Sequence, residues 1–498
     1  MPAFSPLCEA ARALLASIMR ATGRPLVTVV TVVTVVTLVA VTLAVPGDAA
    51  AQQAPQTDTV VPPFARARRL SAQDVAKKKE GTFVTGLPDL SSDPVAGQGL
   101  GVRGAVFFNG DRSDPLFAYT PYRARLSVAA FATTAEAREF AAKLDVPFAL
   151  GLPWRLKVDL KIGDNPANLY FGSTEATLGP LTLPSGGATF STYKAFDVAR
   201  KTLRSGGPTE AARVTDALSN RFGEQELMLN IKADYALGGG RWRVLGGYEI
   251  QRLQYRTFAG RSADAVDPVS GADSKAPNGI ALLERDATLG LVSGLGGGRV
   301  SILQQALLYD TRDFEPDPTK GVYFEVGNEL SAPAIGSQFT FDKLFIQAKA
   351  FRRLPVGPRT VLAGRVGVGN IFGGNAPFFE FQDQWSPDGS VNALGGARSL
   401  RGYRANRFLA RSLWFANAEL RTRLGEAKIK GQRFALSVAP FVDVGTVRDR
   451  WQELNFSRLR WSQGIGARLA WNQSTIISLD VGRSPEDRLV YFGIGQAF

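Results

Sequence analysis

Histidine is absent from this 498-residue chain, and its single cysteine is Cys8. These absences exclude metal sites built on His or Cys, thiol nucleophiles and His-based triads. If Cys8 leaves with a leader, no internal disulfide can form, which fits an oxidising compartment without using it. Charged residues make up 21% of the chain and hydrophobic residues 45%. Beyond the first fifty positions no run approaches the roughly 18 apolar residues that mark a helical membrane span. Two things are plentiful: glycine, at 52 residues, and aromatics, at 10%. Tight strand turns and interfacial aromatic girdles use both.

The start of the chain reads as a leader. Arg12, Arg20 and Arg24 precede an apolar and threonine run, Leu26 to Val45, and Ala49-Ala50-Ala51 supplies small residues for cleavage. Residues 1–51 are therefore expected to be a signal peptide, the alternative being a retained transmembrane helix. Residues 52–80 contain Pro62-Pro63, Arg66, Arg68, Arg69 and Lys77-Lys78-Lys79, and read as a short basic periplasmic tail. The net charge is +13 and is spread along the whole chain. That spread favours anionic lipid headgroups over nucleic acid as the counter-surface.

From Gly81 on, period-two alternation dominates. In 154–162, Trp154, Leu156, Val158, Leu160 and Ile162 oppose Arg155, Lys157, Asp159 and Lys161. In 226–235, Leu227, Leu229, Ile231, Ala233 and Tyr235 oppose Glu226, Met228, Asn230, Lys232 and Asp234. Such strands need one apolar and one wet surrounding. Sixteen are expected, near 81–90, 97–109, 121–133, 136–147, 153–162, 223–236, 241–256, 299–311, 320–331, 338–352, 359–372, 411–424, 433–447, 458–470, 474–482 and 488–498. Three odd-to-even links are long (163–222, 257–298 and 373–410), whereas most even-to-odd links are short. Long loops on one side and tight turns on the other is the outer-membrane arrangement. The expected fold is all-β: a transmembrane antiparallel β-barrel over residues 81–498, with both termini periplasmic. Ala281–Ser293 is the stretch that could instead be a strand.

The last strand should carry Val490, Phe492, Ile494 and the terminal Phe498 on one face, an ending read by assembly machinery. Gly493 and Gly495 should leave that strand poorly packed, so that its seam with 81–90 is weak. In 433–447, Phe434, Leu436, Val438, Val442 and Val444 make the lipid face, which turns Phe441, Asp443 and Gly445 into the lumen. A carboxylate in a partly dry interior requires a partner. Arg401, on a Gly-flanked loop long enough to fold inward, can offer a bidentate one. Solvation of both residues in the lumen is the alternative.

Three stretches are distinctive together: Asp310-Thr311-Arg312-Asp313 followed by Pro318-Thr319-Lys320-Gly321, Gly395-Gly396-Ala397-Arg398-Ser399-Leu400-Arg401-Gly402-Tyr403, and Phe441-Val442-Asp443-Val444-Gly445. In this order and spacing they resemble the turn before the ninth strand, the sixth-loop signature and the thirteenth-strand motif of the BamA/TamA superfamily of outer-membrane proteins, also called bacterial surface antigens. The resemblance covers most of the chain from Gly81 and is strongest over Leu308–Phe498. It implies that Arg401 pairs with Asp443 inside the barrel and locks an inward-folded sixth extracellular loop. At the front this chain looks like the class lacking periplasmic polypeptide-transport-associated domains, and Gly86–Phe171 is similar to the N-terminal barrel segments of that class.

Two other patterns are set aside. Gly99, Gly101 and Gly104 match a dinucleotide fingerprint, but a strand follows them where that motif needs a helix. Asp310, Asp313, Glu315 and Asp317 have no calcium-loop spacing. No cofactor or metal is expected, and no nucleophile–base set that would make an enzyme. The function implied by the resemblance is insertion or export of proteins, or of lipids, through a lateral seam. A passive channel or structural surface antigen, and a lipid-transport barrel, are the alternatives. The expected surroundings are outer-membrane lipid and lipopolysaccharide, the general barrel-assembly machinery for the chain's own insertion, and a separate periplasmic partner.

Overall fold

Alternating residues give a strand two unlike faces, and closing the sheet gives each face its own medium. The computed structural model describes residues 70, 75–76 and 78–498, apart from 357–358, 430–431 and 472–474. The expected leader, and most of the expected tail, lie outside the described residues. Sixteen strands pair antiparallel in chain order and close into one barrel. They are β1 (Thr82–Asp93), β2 (Gly97–Phe108), β3 (Ala124–Thr133), β4 (Arg138–Val146), β5 (Trp154–Leu169), β6 (Arg221–Leu237), β7 (Trp242–Thr257), β8 (Gly298–Asp310), β9 (Gly321–Ser331), β10 (Thr340–Leu354), β11 (Thr360–Asn375), β12 (Ser412–Ile429), β13 (Gln432–Arg448), β14 (Arg460–Trp471), β15 (Thr475–Arg483) and β16 (Arg488–Ile494).

The apolar face looks outward. Leu227, Leu229 and Ile231 on β6 and Leu436 and Val442 on β13 are exposed, while Glu419, Asp443 and Arg468 are buried on the inner face. Aromatic pairs edge the apolar band, as interfacial rings do. Trp154–Tyr235 (4.8 Å) and Trp242–Tyr309 (4.7 Å) sit at the rim of short turns, and Trp414–Phe456 (5.0 Å) at the rim of long loops. Among the described residues no helix is long and apolar enough to cross a membrane.

The long links are 170–220, 258–297 and 376–411, all on one rim. They are shorter than the sequence suggests because the strands bordering them run further. Gly163, Asn165 and Pro166 look like turn chemistry, yet β5 continues through them to Leu169. A register shift against Phe222 and Glu224 absorbs the extra residues there, and a bulge tolerates a proline that cannot donate. A similar shift near Arg423 and Gly425 lets β12 reach Ile429. The long links carry their own structure. Helix α1 (Tyr193–Lys201) lies in the first and α2 (Leu282–Thr288) in the second. The stretch 281–293 is thus a short helix and loop, with Leu282 and Leu283 buried in an aromatic cluster at the barrel mouth.

Two ends of the chain depart from expectation. β16 stops at Ile494, where Gly495 turns at φ 110°. Phe498 therefore does not continue the outer face. It packs against Phe351, Val361 and Ala363, and Arg421 Nη2 donates to its backbone oxygen at 3.0 Å. Gln496 reaches Asp317 in the β8–β9 turn. At the other end, Lys78 is not a free tail residue. Its ammonium donates to the carbonyls of Phe117 (2.8 Å) and Thr120 (2.9 Å) in the β2–β3 turn. Burial pushes its pKa down to about 8.

Candidate functional site: the inward loop and the closing seam

Arg401 lies on the 376–411 link, and the alternation of β13 turns Asp443 towards it. They meet in the lumen as a bidentate pair: Nη2 donates to Oδ1 at 2.8 Å and Nε to Oδ2 at 3.0 Å. The Arg401 backbone N–H also donates to Oδ2, at 3.1 Å. Both side chains are essentially inaccessible, at 1% and 0% exposure. The third guanidinium nitrogen, Nη1, donates to Glu419 on β12. Asn417 and Ser462 complete the donors on Asp443. The guanidinium lies 3.4 Å from the centre of the Phe441 ring. Every acceptor on Asp443 is thus engaged, which a buried carboxylate requires.

The neighbouring glycines are spatial necessities. A Cβ on Gly402 would stand 2.5 Å from the backbone carbon of Arg483, and one on Gly464 would collide with the Phe441 ring. Tyr403 is buried edge-on to Phe408 at 4.9 Å. Gly445 leaves room for Leu394 of the same inward link.

The link runs deeper than its lock. Phe378–Phe381 plugs the mouth against Tyr255, Phe222 and Tyr170. A small hairpin, Asp383–Gln384 with Val391–Asn392, then descends to Asp388. Arg312, from the turn on the opposite rim, holds Asp388 at 3.0 Å through both terminal nitrogens, and Lys349 holds it at 2.7 Å. Burial pushes the Asp388 carboxyl up, but Lys349 and Arg312 more than offset it and bring it to about 2. Arg312 also binds Asp310 at 2.9 and 3.0 Å. Asp313 instead caps its own turn through Thr319. Gly321, at φ 109°, lets that turn approach the Thr311 carbonyl. Thr311 closes it with paired bonds to Val322.

Closure of the sheet is uneven. β1 pairs with β2 at twelve positions and β15 with β16 at seven. Among the described residues β1 pairs with β16 only at Ser92 opposite Phe492. That position lies past the expected 81–90 strand, at the long-loop end. Gly493 sits in β16 with open space where a Cβ would go, whereas Gly495 falls beyond the strand. The inward link spans this junction. Arg404 donates to the Pro94 carbonyl beside β1 (2.8 Å) and to Asp487 beside β16 (3.2 Å). Arg407 grips Glu486 at 2.8 Å, and Ser484 donates to the Gly402 carbonyl at 2.7 Å.

Arg401, Gly402, Tyr403, Phe441, Asp443 and Gly445 therefore form one cluster. Asp310, Thr311, Arg312, Asp313 and Gly321 form a second at the opposite rim, and Phe498 is tied to the first only indirectly, through Arg421 and Glu419. Sequence reasoning missed Glu419, although alternation with Ala418 and Leu420 puts it on the inner face. It also missed Asp388, Arg404 and Arg407, whose loop positions give no periodic signal.

Comparison with known proteins accords with this geometry. Residues 149–498 match the Omp85 superfamily domain. Residues 61–123, which include β1 and β2, match a domain of unknown function (DUF5982). The outer membrane protein assembly factor BamA of Nitratidesulfovibrio vulgaris is 28% identical over 219 residues, 38% of this chain and 24% of that protein. This chain thus matches about a quarter of that relative's length. Among solved structures, BamA from Haemophilus ducreyi lacking POTRA domains 1-3 aligns with a TM-score of 0.47 at 12% identity, covering 84% of this chain and 70% of that one. CdiB from Acinetobacter baumannii aligns at 0.44 and 11%, covering 84% and 60%. The superfamily consists of non-enzymatic transport and assembly barrels of the outer membrane. On the match over most of its length, this chain belongs to the Omp85 superfamily, as an outer-membrane barrel of the BamA/TamA type.

Proposed function

We propose that this barrel assists insertion or export of proteins at the outer membrane through a seam between β1 and β16 that opens sideways. The observation that carries the reading is the single paired position, Ser92 with Phe492, at that junction. A seam so sparsely bonded separates at low cost, and its freed strand edges can template an incoming strand. The name of the N. vulgaris relative, an assembly factor, points the same way. In this reading the long-loop rim is extracellular and the termini are periplasmic. Lipid and lipopolysaccharide surround the barrel, the general assembly machinery inserts it, and a periplasmic partner delivers clients. Arg401 with Asp443 holds the inward link in place, and Arg404 clasps the two seam strands through it. A passive pore is disfavoured because that link plugs the mouth at Phe378–Phe381 and runs through the lumen to Asp388.

Cysteines replacing Ser92 and Phe492 test the reading, since the native chain has only Cys8. Oxidation should abolish assembly of client barrels while heat-modifiable gel mobility shows a folded protein. Full activity with the seam locked would overturn the proposal. Loss of lipid transport on locking, with normal client assembly on depletion, would transfer the seam to lipid movement.

A further inference from the structure

A guanidinium enters a protein interior only where acceptors meet its N–H groups, so a buried donor left over marks a missing acceptor. Such donors occur at the long-loop rim. A cavity of about 370 Å³ opens there between the β1–β2 turn at Pro94, the end of β5, the start of β6, helix α1 and Asp487. Lys194, Arg200, Lys201, Arg221 and Arg404 line it, against two carboxylates, Asp197 and Asp487.

Both carboxylates are already committed. Asp197 accepts from Arg200 Nε and Lys201 Nζ, each at 2.8 Å, and Asp487 accepts from Arg404. Arg200 is 5% exposed, yet its Nη1 has no acceptor. The Nε of Arg221 is buried without one too, and among the described residues neither Arg221 nor Lys194 has an ion pair. Five cations thus line an open volume against two carboxylates, and two of them, Arg200 and Arg221, carry buried donors without an acceptor. A phosphate group, with several acceptor oxygens and up to two negative charges, satisfies that arrangement. A single carboxylate does not, because guanidinium donors here approach from separate elements.

We propose that this cavity binds a phosphate group, held by Arg200, Arg221 and Lys194 with Arg404 at its edge. Either the phosphate of a lipid headgroup, such as lipopolysaccharide at the surrounding rim, or a soluble phosphate compound supplies that chemistry. The site does not depend on seam opening, although Arg404 places it beside the seam.

Calorimetric titration of the purified full chain in detergent tests the site with three probes. These are lipopolysaccharide, lipopolysaccharide stripped of its lipid phosphates, and inorganic pyrophosphate. Arg221→Gln and Lys194→Gln should each weaken binding about tenfold, the loss of one charge-assisted contact. Arg213→Gln, which removes an equal charge elsewhere on the same loop, should leave it unchanged. Binding of intact but not stripped lipopolysaccharide assigns the headgroup. Pyrophosphate binding with the same variant dependence assigns a soluble phosphate. The proposal falls if no probe binds, or if neither variant weakens binding. Lys194 is exposed, so Lys194→Gln decides the matter should Arg221→Gln fail to give a heat-modifiable barrel.

Discussion

Arg401 serves two carboxylates at once, Asp443 and Glu419, and this asymmetry sets what its removal does. Arg401→Ala leaves Asp443 buried without its cation while Glu419 keeps Arg421 at 2.8 Å, whereas Asp443→Ala leaves Arg401 with Glu419. Breaking a buried pair costs about 3–5 kcal/mol. Arg401→Ala is expected within that range and Asp443→Ala below it. The double variant should be no worse than Arg401→Ala, because both changes act through one contact. Heat-modified gel mobility reads the ranking, and additive losses would disprove the coupling. At this scale the sequence was informative wherever a residue lay on a strand. Asp443 is turned inward by Val442 and Val444, and Glu419 by Ala418 and Leu420. Arg401 was legible only through its Gly-flanked motif, and Gly402 acquires its reason only from Arg483, distant in the chain.

The inward link enters the lumen as its motif implies, but descends further than the sequence indicates. A loop of its composition could have rested over the mouth, but Asp388 carries it to the opposite rim. The Asp388 carboxyl has its pKa lowered by Lys349 and Arg312, to about 2. Its contribution is therefore present above the unfolded carboxylate value, near pH 4, and is lost as pH falls towards 2. Two pH units correspond to about 3 kcal/mol of tip anchoring. Trp385, buried against Gly327 in the same tip, reports on it. Its emission, taken as the difference from Trp385→Phe, should hold at neutral pH and shift red between about pH 4 and 2. In Asp388→Asn the shift should already be present at pH 7. Unchanged emission in that variant would show that Arg312 and Lys349 do not anchor the tip.

Across the whole molecule, the long links share one rim and the short turns the other, so one orientation serves every loop. Single cysteines at Ala188 and Val269, both exposed on long links, should label with an impermeant reagent in intact cells. A cysteine at Leu150, 96% exposed in a short turn, should label only after permeabilisation. The reverse pattern would invert the barrel. Closure adds a constraint that no single strand carries: β16 must meet β1, and it does so at one position while the inward link bridges both.

The sequence by itself determined the number of strands, their order, the face each presents and the side with long loops. Those features follow from period-two alternation and turn residues, which act over a few neighbours. It also brought Arg401 and Asp443 into view, through a motif and a strand face. Only the tertiary structure decided where strands stop, as at Pro166 in β5 and at Ile494 in β16. It also set how deep the link descends, which partners share Arg401, and how thinly the seam is bonded. Each of these depends on residues far apart in the chain meeting inside a closed sheet, and no local pattern encodes that meeting.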